Sequence, residues 1–261
     1  MNPQRTDSPW LHIPKPNPGA RLRLVCFPYA GGSATIYREW PASLSPDIEV
    51  VAIQLPGRGN RFMDKPVGVL DAVIEPMLAV LIPYLGDKPF VLFGHSMGAM
   101  LAYESAKRLE SVFPFPGSLK HLFVSAFRAV QLPRTDQGRY LLSNDELKEE
   151  LRRLNGTPEA LLQNDELMEL YLPTIRADMQ LCDTYVYAES PPLPCGLTAF
   201  GGTADSGIPQ DDLQAWETQS GQAFELHMLA GGHFFIHSEA PQLLQLLSDR
   251  LDRILHQHTS A

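Results

Sequence analysis

Little in this sequence ties it to a membrane, a nucleic acid or an oxidising compartment. No stretch approaches the roughly 18 continuous apolar residues of a membrane span, and the opening MNPQRTDSPWLHIPKPNPG holds no apolar signal-peptide core. Cysteine is scarce. Cys26, Cys182 and Cys195 are odd in number and lack C-x-x-C or metal spacing, which reads as reduced thiols of a cytoplasmic chain. Cys26 lies within an apolar run, where a buried, inert thiol is expected. Lys and Arg number 21 against 30 Asp and Glu, for a formal charge of −9. No basic block occurs, which argues against nucleic acid or anionic lipid as the main partner.

What is present points to one large α/β core: 261 residues, 44% of them apolar. Residues 1–20 hold five prolines and read as an extended arm; residues 21–261 read as a single domain. Apolar runs expected to be buried strands occur at Leu22–Phe27, Ile48–Ile53, Phe90–Phe93, His121–Ser125, Leu197–Gly201 and Phe224–Leu229. Helical patterns lie at Ala34–Leu44, Leu70–Leu85, Gly98–Leu109, Gln210–Gly221 and Glu239–His256. This alternation predicts a mostly parallel central sheet with helices on both faces.

Residues from about 131 to 190 break the rhythm, with two helical stretches and no strand. The first opens on the capping-box pattern Ser143-Asn144-Asp145-Glu146 and carries Leu147, Leu151 and Leu154 on one face. The second, Asp165 to Tyr187, is expected to be interrupted at Pro173. An insertion of this size reads as a lid over a binding site, with an enlarged helix layer as the alternative.

The segment FVLFGHSMGAM (90–100) places Ser96 between Gly94 and Gly98, where a strand turns sharply into a helix. Such a G-x-S-x-G elbow lifts a serine oxygen clear of the backbone. It also puts the Met97 N–H at a helix start, where unpaired donors await an anion. A serine needs a base, and the order serine, acid, histidine along later strand ends is present. Asp205 follows the strand 197–201 in GGTADSGIP, and His233 follows the strand 224–229 in AGGHFF. His233 would act as general base and then general acid, with Asp205 fixing its tautomer.

The rivals have ordinary explanations. Asp211 and Asp212 sit in a helix first turn. His227 falls within a strand, and His95 packs inside the elbow. His233 and His237 are four apart, but Phe234-Phe235-Ile236 between them lack the glutamate of H-E-x-x-H, so no metal site is expected. A second oxyanion donor should come from the loop after the first core strand, Phe27-Pro28-Tyr29-Ala30-Gly31-Gly32-Ser33, through the Ala30 N–H. No Gly-Lys-Ser/Thr follows this glycine pair, which weakens a phosphate-loop reading.

With CFPYAGGSA (26–34), QLPGRGNR (54–61), LFGHSMGA (92–99), YLPTIRADMQLCDTY (171–185), GGTAD (201–205) and GGHFF (231–235), the chain resembles the type II thioesterases. These are stand-alone editing hydrolases of nonribosomal peptide and polyketide synthesis. The resemblance spans about residues 20–255, with Ile175-Arg176-Ala177-Asp178 standing where the family reads Leu-Arg-Ala-Asp. It implies an α/β-hydrolase fold with a helical lid, a Ser96–Asp205–His233 triad and oxyanion donors at Met97 and Ala30. It also implies no cofactor, a monomer, and acyl groups on the phosphopantetheine arm of carrier proteins as substrate. Arg58 and Arg61 are candidates to touch a pantetheine phosphate or an acidic carrier surface, the alternative being a solvated turn. Leu161, Leu162, Leu167, Met168, Leu170 and Met179 are candidate liners of an acyl cavity. An esterase or lipase acting on free oxygen esters, an acyltransferase and a non-catalytic carrier-binding subunit remain open alternatives.

Overall fold

Strands with both faces covered by helices are mostly apolar, and the apolar-rich runs assemble accordingly, the charges within two of them pairing with each other as Arg23–Glu49 at 3.0 Å. In the computed structural model, which describes residues 8–86, 88–113, 117–134 and 137–257, they form one seven-stranded sheet. The strands are β1 (Leu11–His12), β2 (Leu22–Phe27), β3 (Ile48–Ile53), β4 (Phe90–His95), β5 (Leu119–Ser125), β6 (Gly196–Gly202) and β7 (Phe224–Leu229). Their order is β1-β3-β2-β4-β5-β6-β7, with only β1 antiparallel.

The helices are α1 (Leu70–Leu85), α2 (Met97–Val112), α3 (Asn144–Leu154), α4 (Glu159–Leu162), α5 (Asp165–Asp183), α6 (Gln210–Gln214), α7 (Phe235–Ser238) and α8 (Ala240–Gln257). Alternate strand residues serve opposite faces. Val25, Phe27, Leu92 and Val124 pack with α1 and α2, whereas Leu24, Cys26, Phe93 and Phe123 pack with Leu243, Leu247 and Leu251 of α8. Cys26, Cys182 and Cys195 are buried free thiols. Burial pushes the thiols of Cys182 and Cys195 up to about 12, which makes them poor nucleophiles.

Four local expectations change. The helix expected over Ala34–Leu44 is two tight turns, Ala34–Tyr37 and Trp40–Ala42. Pro41 has no N–H to continue a ladder and its ring crowds the preceding turn. The pattern at Gln210–Gly221 splits into α6 and a tighter turn at Ala215–Gln219. Conversely, α5 runs through Pro173. Residues on both sides of the proline are buried, Met168 and Leu172 before it and Ile175 and Met179 after it, and this packing offsets one lost hydrogen bond. In the arm, Leu11 and His12 pair with β3, while Trp10 is buried beneath the Arg61 guanidinium, 4.0 Å from its ring centre. Residues 1–7 of that expectation lie outside the described residues.

The insertion between β5 and β6 has a small core of its own, made of Leu147, Leu151, Leu162, Met168, Leu172, Ile175 and Met179. The capping box is formed: the Glu146 N–H donates to Ser143 Oγ, and the Ser143 N–H donates to Glu146. Because β3 lies on one side of β2 and β4 on the other, the connections after β2 and β4 diverge. That opens a crevice at their carboxyl ends, where ligands of open α/β sheets bind.

Candidate active site

Ser96 sits at the junction of β4 and α2 with φ 52° and ψ −123°. Left-handed backbone is costly for any side chain, about 1–3 kcal/mol, so the surroundings must enforce it. They do so through close approach. A Cβ on Gly94 would collide with the Gly98 carbonyl, and one on Gly98 would collide with the Phe27 carbonyl of β2. The Ser96 N–H donates to the Ser125 carbonyl at 2.7 Å, tying the elbow to β5.

Parallel strands bring their carboxyl ends to one edge, and the loops after β6 and β7 meet Ser96 there. The His233 Nε2 lies 2.9 Å from Ser96 Oγ, and the His233 Nδ1 lies 2.7 Å from Asp205 Oδ2. An ionised carboxylate only accepts, so Nδ1 carries the proton and Nε2 is left to accept from the Ser96 hydroxyl. The other Asp205 oxygen accepts the Gly207 N–H at 3.1 Å. All three side chains predicted from sequence therefore meet. Met97 begins α2 directly after Ser96, so its N–H is one of the four that a helix leaves without an internal acceptor. Ala30 lines the same cavity as Ser96 and His233.

That cavity measures about 570 Å³ and lies between the sheet edge and the insertion, which contributes Leu154, Asn155, Gly156, Met179 and Cys182. Of the six candidate liners, Met179 alone faces it. Leu162 and Met168 are buried in the insertion's own core, Leu161 packs against that core, and Leu167 and Leu170 are exposed. Leucine spacing identified a buried helix face without telling which body it faces.

His95 is fully buried and does more than pack. Its Nε2 lies 2.9 Å from the His233 carbonyl and its Nδ1 lies 2.8 Å from Ser125 Oγ. A carbonyl cannot donate, so the proton is on Nε2 and Ser125 donates to Nδ1; the pair pins the main chain of His233. Burial, then the nearby His233, hold His95 well below the ordinary imidazole range. His237 shares a 2.8 Å hydrogen bond with the Tyr29 hydroxyl, and His227 stacks on Phe200. Among the described residues no group of three His, Cys, Asp or Glu side chains is placed to hold a metal.

Arg58 and Arg61 face neither solvent nor the cavity beside Ser96. Arg61 pairs with Asp64 at 2.7 Å and caps Trp10. Arg58, 4% exposed, makes a two-pronged ion pair with Asp178 of α5 at 2.6 and 2.7 Å. Sequence inspection assigned Asp178 no role. The available signal was a carboxylate set among the buried apolar positions Ile175, Met179 and Leu181 of one helix, because buried carboxylates are paired.

A pH effect on stability follows from two buried imidazoles. Burial, with Arg250 adding, pushes His121 down to about 3, and His95 is shifted the same way. Below the ordinary value of about 6.5 the unfolded chain takes up protons that the fold refuses. Stability is thus fully present above that pH and is lost as pH falls toward the folded values, by about 1.4 kcal/mol per pH unit for each group. His121 bonds Thr198 Oγ1 at 2.8 Å, a contact that glutamine can keep. His121→Gln should therefore flatten the pH 6-to-5 dependence of the urea-unfolding free energy by about 1.4 kcal/mol per unit. An unchanged slope would contradict the assignment.

Comparison with known proteins gives a consistent picture. A family model described as "Thioesterase domain" matches residues 22–251. The chain is 41% identical over 251 residues to "Linear gramicidin dehydrogenase LgrE" of Brevibacillus parabrevis, covering 95% of this chain and 94% of that protein. It is 38% identical to "Gramicidin S biosynthesis protein GrsT" of Aneurinibacillus migulanus, covering 94% and 95%. The solved structure of the type II thioesterase BorB from the borrelidin biosynthetic cluster superimposes with a TM-score of 0.84 at 36% identity, covering 95% of this chain and 99% of that one. BorB is thus a relative in both sequence and fold.

Proposed function

This chain belongs to the thioesterase family, and on that premise we propose that it hydrolyses acyl thioesters on the phosphopantetheine arm of carrier proteins. Its task would be to clear stalled or mis-primed acyl groups from a nonribosomal peptide or polyketide synthase. The observation that carries the reading is the hydrogen-bonded series Ser96–His233–Asp205, opening on a cavity beneath the helical insertion. The insertion acts as a lid over that cavity. The word dehydrogenase in one relative's name does not transfer, because the turn after β2 reads Pro28-Tyr29-Ala30-Gly31-Gly32 rather than the G-x-G-x-x-G of a dinucleotide site.

The chemistry proceeds in two halves. His233 Nε2 takes the Ser96 proton as Oγ bonds to the thioester carbon, and the resulting oxyanion is received by the N–H groups of Met97 and Ala30. As the tetrahedral intermediate collapses, the C–S bond breaks and His233 returns the proton to the departing sulfur. A thiol with a pKa of about 8.5 needs little assistance to leave, so the demand falls on attack and oxyanion stabilisation. Water then gives a proton to His233 and attacks the acyl-serine. Ser96 leaves as a hydroxyl and the acyl group leaves as a carboxylic acid. Asp205 stabilises the imidazolium in both halves.

Every group in this scheme comes from one chain, so a monomer suffices, and three buried free thiols suit a reducing compartment such as the cytoplasm. No helix among the described residues is long and apolar enough to cross a membrane. With an acyl-carrier protein or acyl-pantetheine and its matched oxygen ester as paired substrates, kcat/KM should favour the thioester. Preferential turnover of the oxygen ester, with loaded carriers untouched, rejects the reading.

A further inference from the structure

Asp178 is 1% exposed and its two oxygens accept three hydrogen bonds. Two come from Arg58 (2.6 and 2.7 Å), and the third is the main-chain N–H of Gly31 at 2.7 Å. Arg58 also donates to the Gly32 carbonyl at 3.2 Å and to the Pro56 carbonyl at 3.2 Å. The turn that carries Ala30 is thus gripped on both sides of the Gly31–Gly32 unit, by a carboxylate on its N–H and a guanidinium on its C=O. Gly31 itself has φ +74°, and a side chain there would press on Ile175 of α5. One turn earlier in that helix, Thr174 Oγ1 donates to the Gly57 carbonyl at 2.9 Å, fastening α5 to the loop that supplies Arg58.

A buried ion pair adds little net stability over an apolar pair of the same shape, so stability alone does not account for it. Position does. An oxyanion donor works only if it is held in place before the charge develops, and the turn's own hydrogen bond, from the Gly32 N–H to the Tyr29 carbonyl at 2.9 Å, closes the turn without fixing where it sits relative to Ser96. We propose that Arg58 and Asp178 are positioning residues for the oxyanion site: they set the Ala30 N–H toward Ser96, and make that donor conditional on α5 being seated. This rests on the reading of Ala30 as an oxyanion donor. It couples the insertion to the rate of the chemical step, in addition to any part it plays in holding the acyl group.

The test separates position from stability. Arg58→Met/Asp178→Leu replaces the pair by an apolar one of similar volume, leaving no buried charge unpaired but removing the acceptor for the Gly31 N–H. The main-chain groups of Gly31, Gly32 and Pro56 lose these partners, so its thermal midpoint should fall by a few degrees, whereas kcat on a short acyl-pantetheine thioester, measured well below that midpoint, should fall about 10- to 100-fold, the scale of a donor displaced by roughly 1 Å. KM and the pH midpoint of kcat/KM should not move, because the Ser96–His233–Asp205 series is untouched. Arg58→Gln/Asp178→Asn, uncharged but able to accept the Gly31 N–H, should restore kcat to within about threefold of the parent.

A folded apolar double variant with parental kcat, or with its loss entirely in KM, overturns the proposal. If that variant does not fold, Asp178→Glu keeps both charges but moves the carboxylate by one methylene; kcat should then fall by about tenfold or more, and an unchanged kcat overturns the proposal equally. Ser96→Ala is assayed alongside. An inactive Ser96→Ala with a fully active pair variant discards the positioning role alone, whereas an active Ser96→Ala discards the hydrolase reading beneath it.

Discussion

Replacing Ser96 with alanine is expected to lower kcat toward an acyl-pantetheine thioester by about 10⁴- to 10⁶-fold, the range seen when a nucleophile that works as one unit with its base is removed. The geometry makes the effect specific. Ser96 Oγ bonds His233 Nε2 and does not cap α2, so its loss removes the attacking atom and little else. Alanine keeps the Cβ, so the φ of 52° at this position is no more strained than before. The unfolding free energy should change by less than about 1 kcal/mol. Mass spectrometry after mixing with excess acyl-pantetheine should find an acyl adduct on the parent and none on the variant. Turnover within about tenfold of the parent would remove Ser96 from the mechanism.

Asp205→Asn should cost nearly as much, about 10⁴-fold in kcat, with the fold intact. One Asp205 oxygen holds the Gly207 N–H at 3.1 Å while the other faces His233 Nδ1 at 2.7 Å. An asparagine that keeps its carbonyl on Gly207 must turn its NH2 toward His233. That amide donates, so Nδ1 has to accept and the ring proton moves to Nε2, the atom that should take the Ser96 proton. The base is present but in the wrong tautomer. The loss should appear in kcat with KM little changed, and a fall of less than about tenfold would show that Asp205 does not control the tautomer.

Much of this architecture was legible along the chain for one physical reason. A strand covered on both faces is mostly apolar, so β2 to β7 stood out as short apolar-rich runs despite Arg23, Glu49, His121 and Glu225 within them, and glycines soon after β4, β6 and β7 marked loops at the same sheet edge. Ser96, Asp205 and His233 were visible because each lies within a few residues of the end of such a run. Proline misled in both directions. At Pro41 it ended a helical pattern that hydrophobic spacing alone favoured, and at Pro173 packing on either side carried α5 through a residue that should have interrupted it. The leucines and methionines of the insertion were recognisable as a buried face, but not as a core of their own from which only Met179 reaches the cavity beside Ser96.

The sequence by itself determined the succession β2 to β7 with helices α1, α2 and α8 among them, the glycine-framed elbow at Ser96 and the acid and histidine that follow later strand ends, because these depend on neighbours a few residues apart and on the repeat of secondary structure. Tertiary structure alone decided where the charges and carbonyls far apart in the chain are satisfied. Arg58 and Asp178 are 120 positions apart, and His95 reaches a carbonyl 138 positions away. Nothing local to Arg58 distinguishes a guanidinium in a solvated turn from one sealed against a carboxylate. The difference arises only when burial removes water and leaves each charge only the partners sealed in with it.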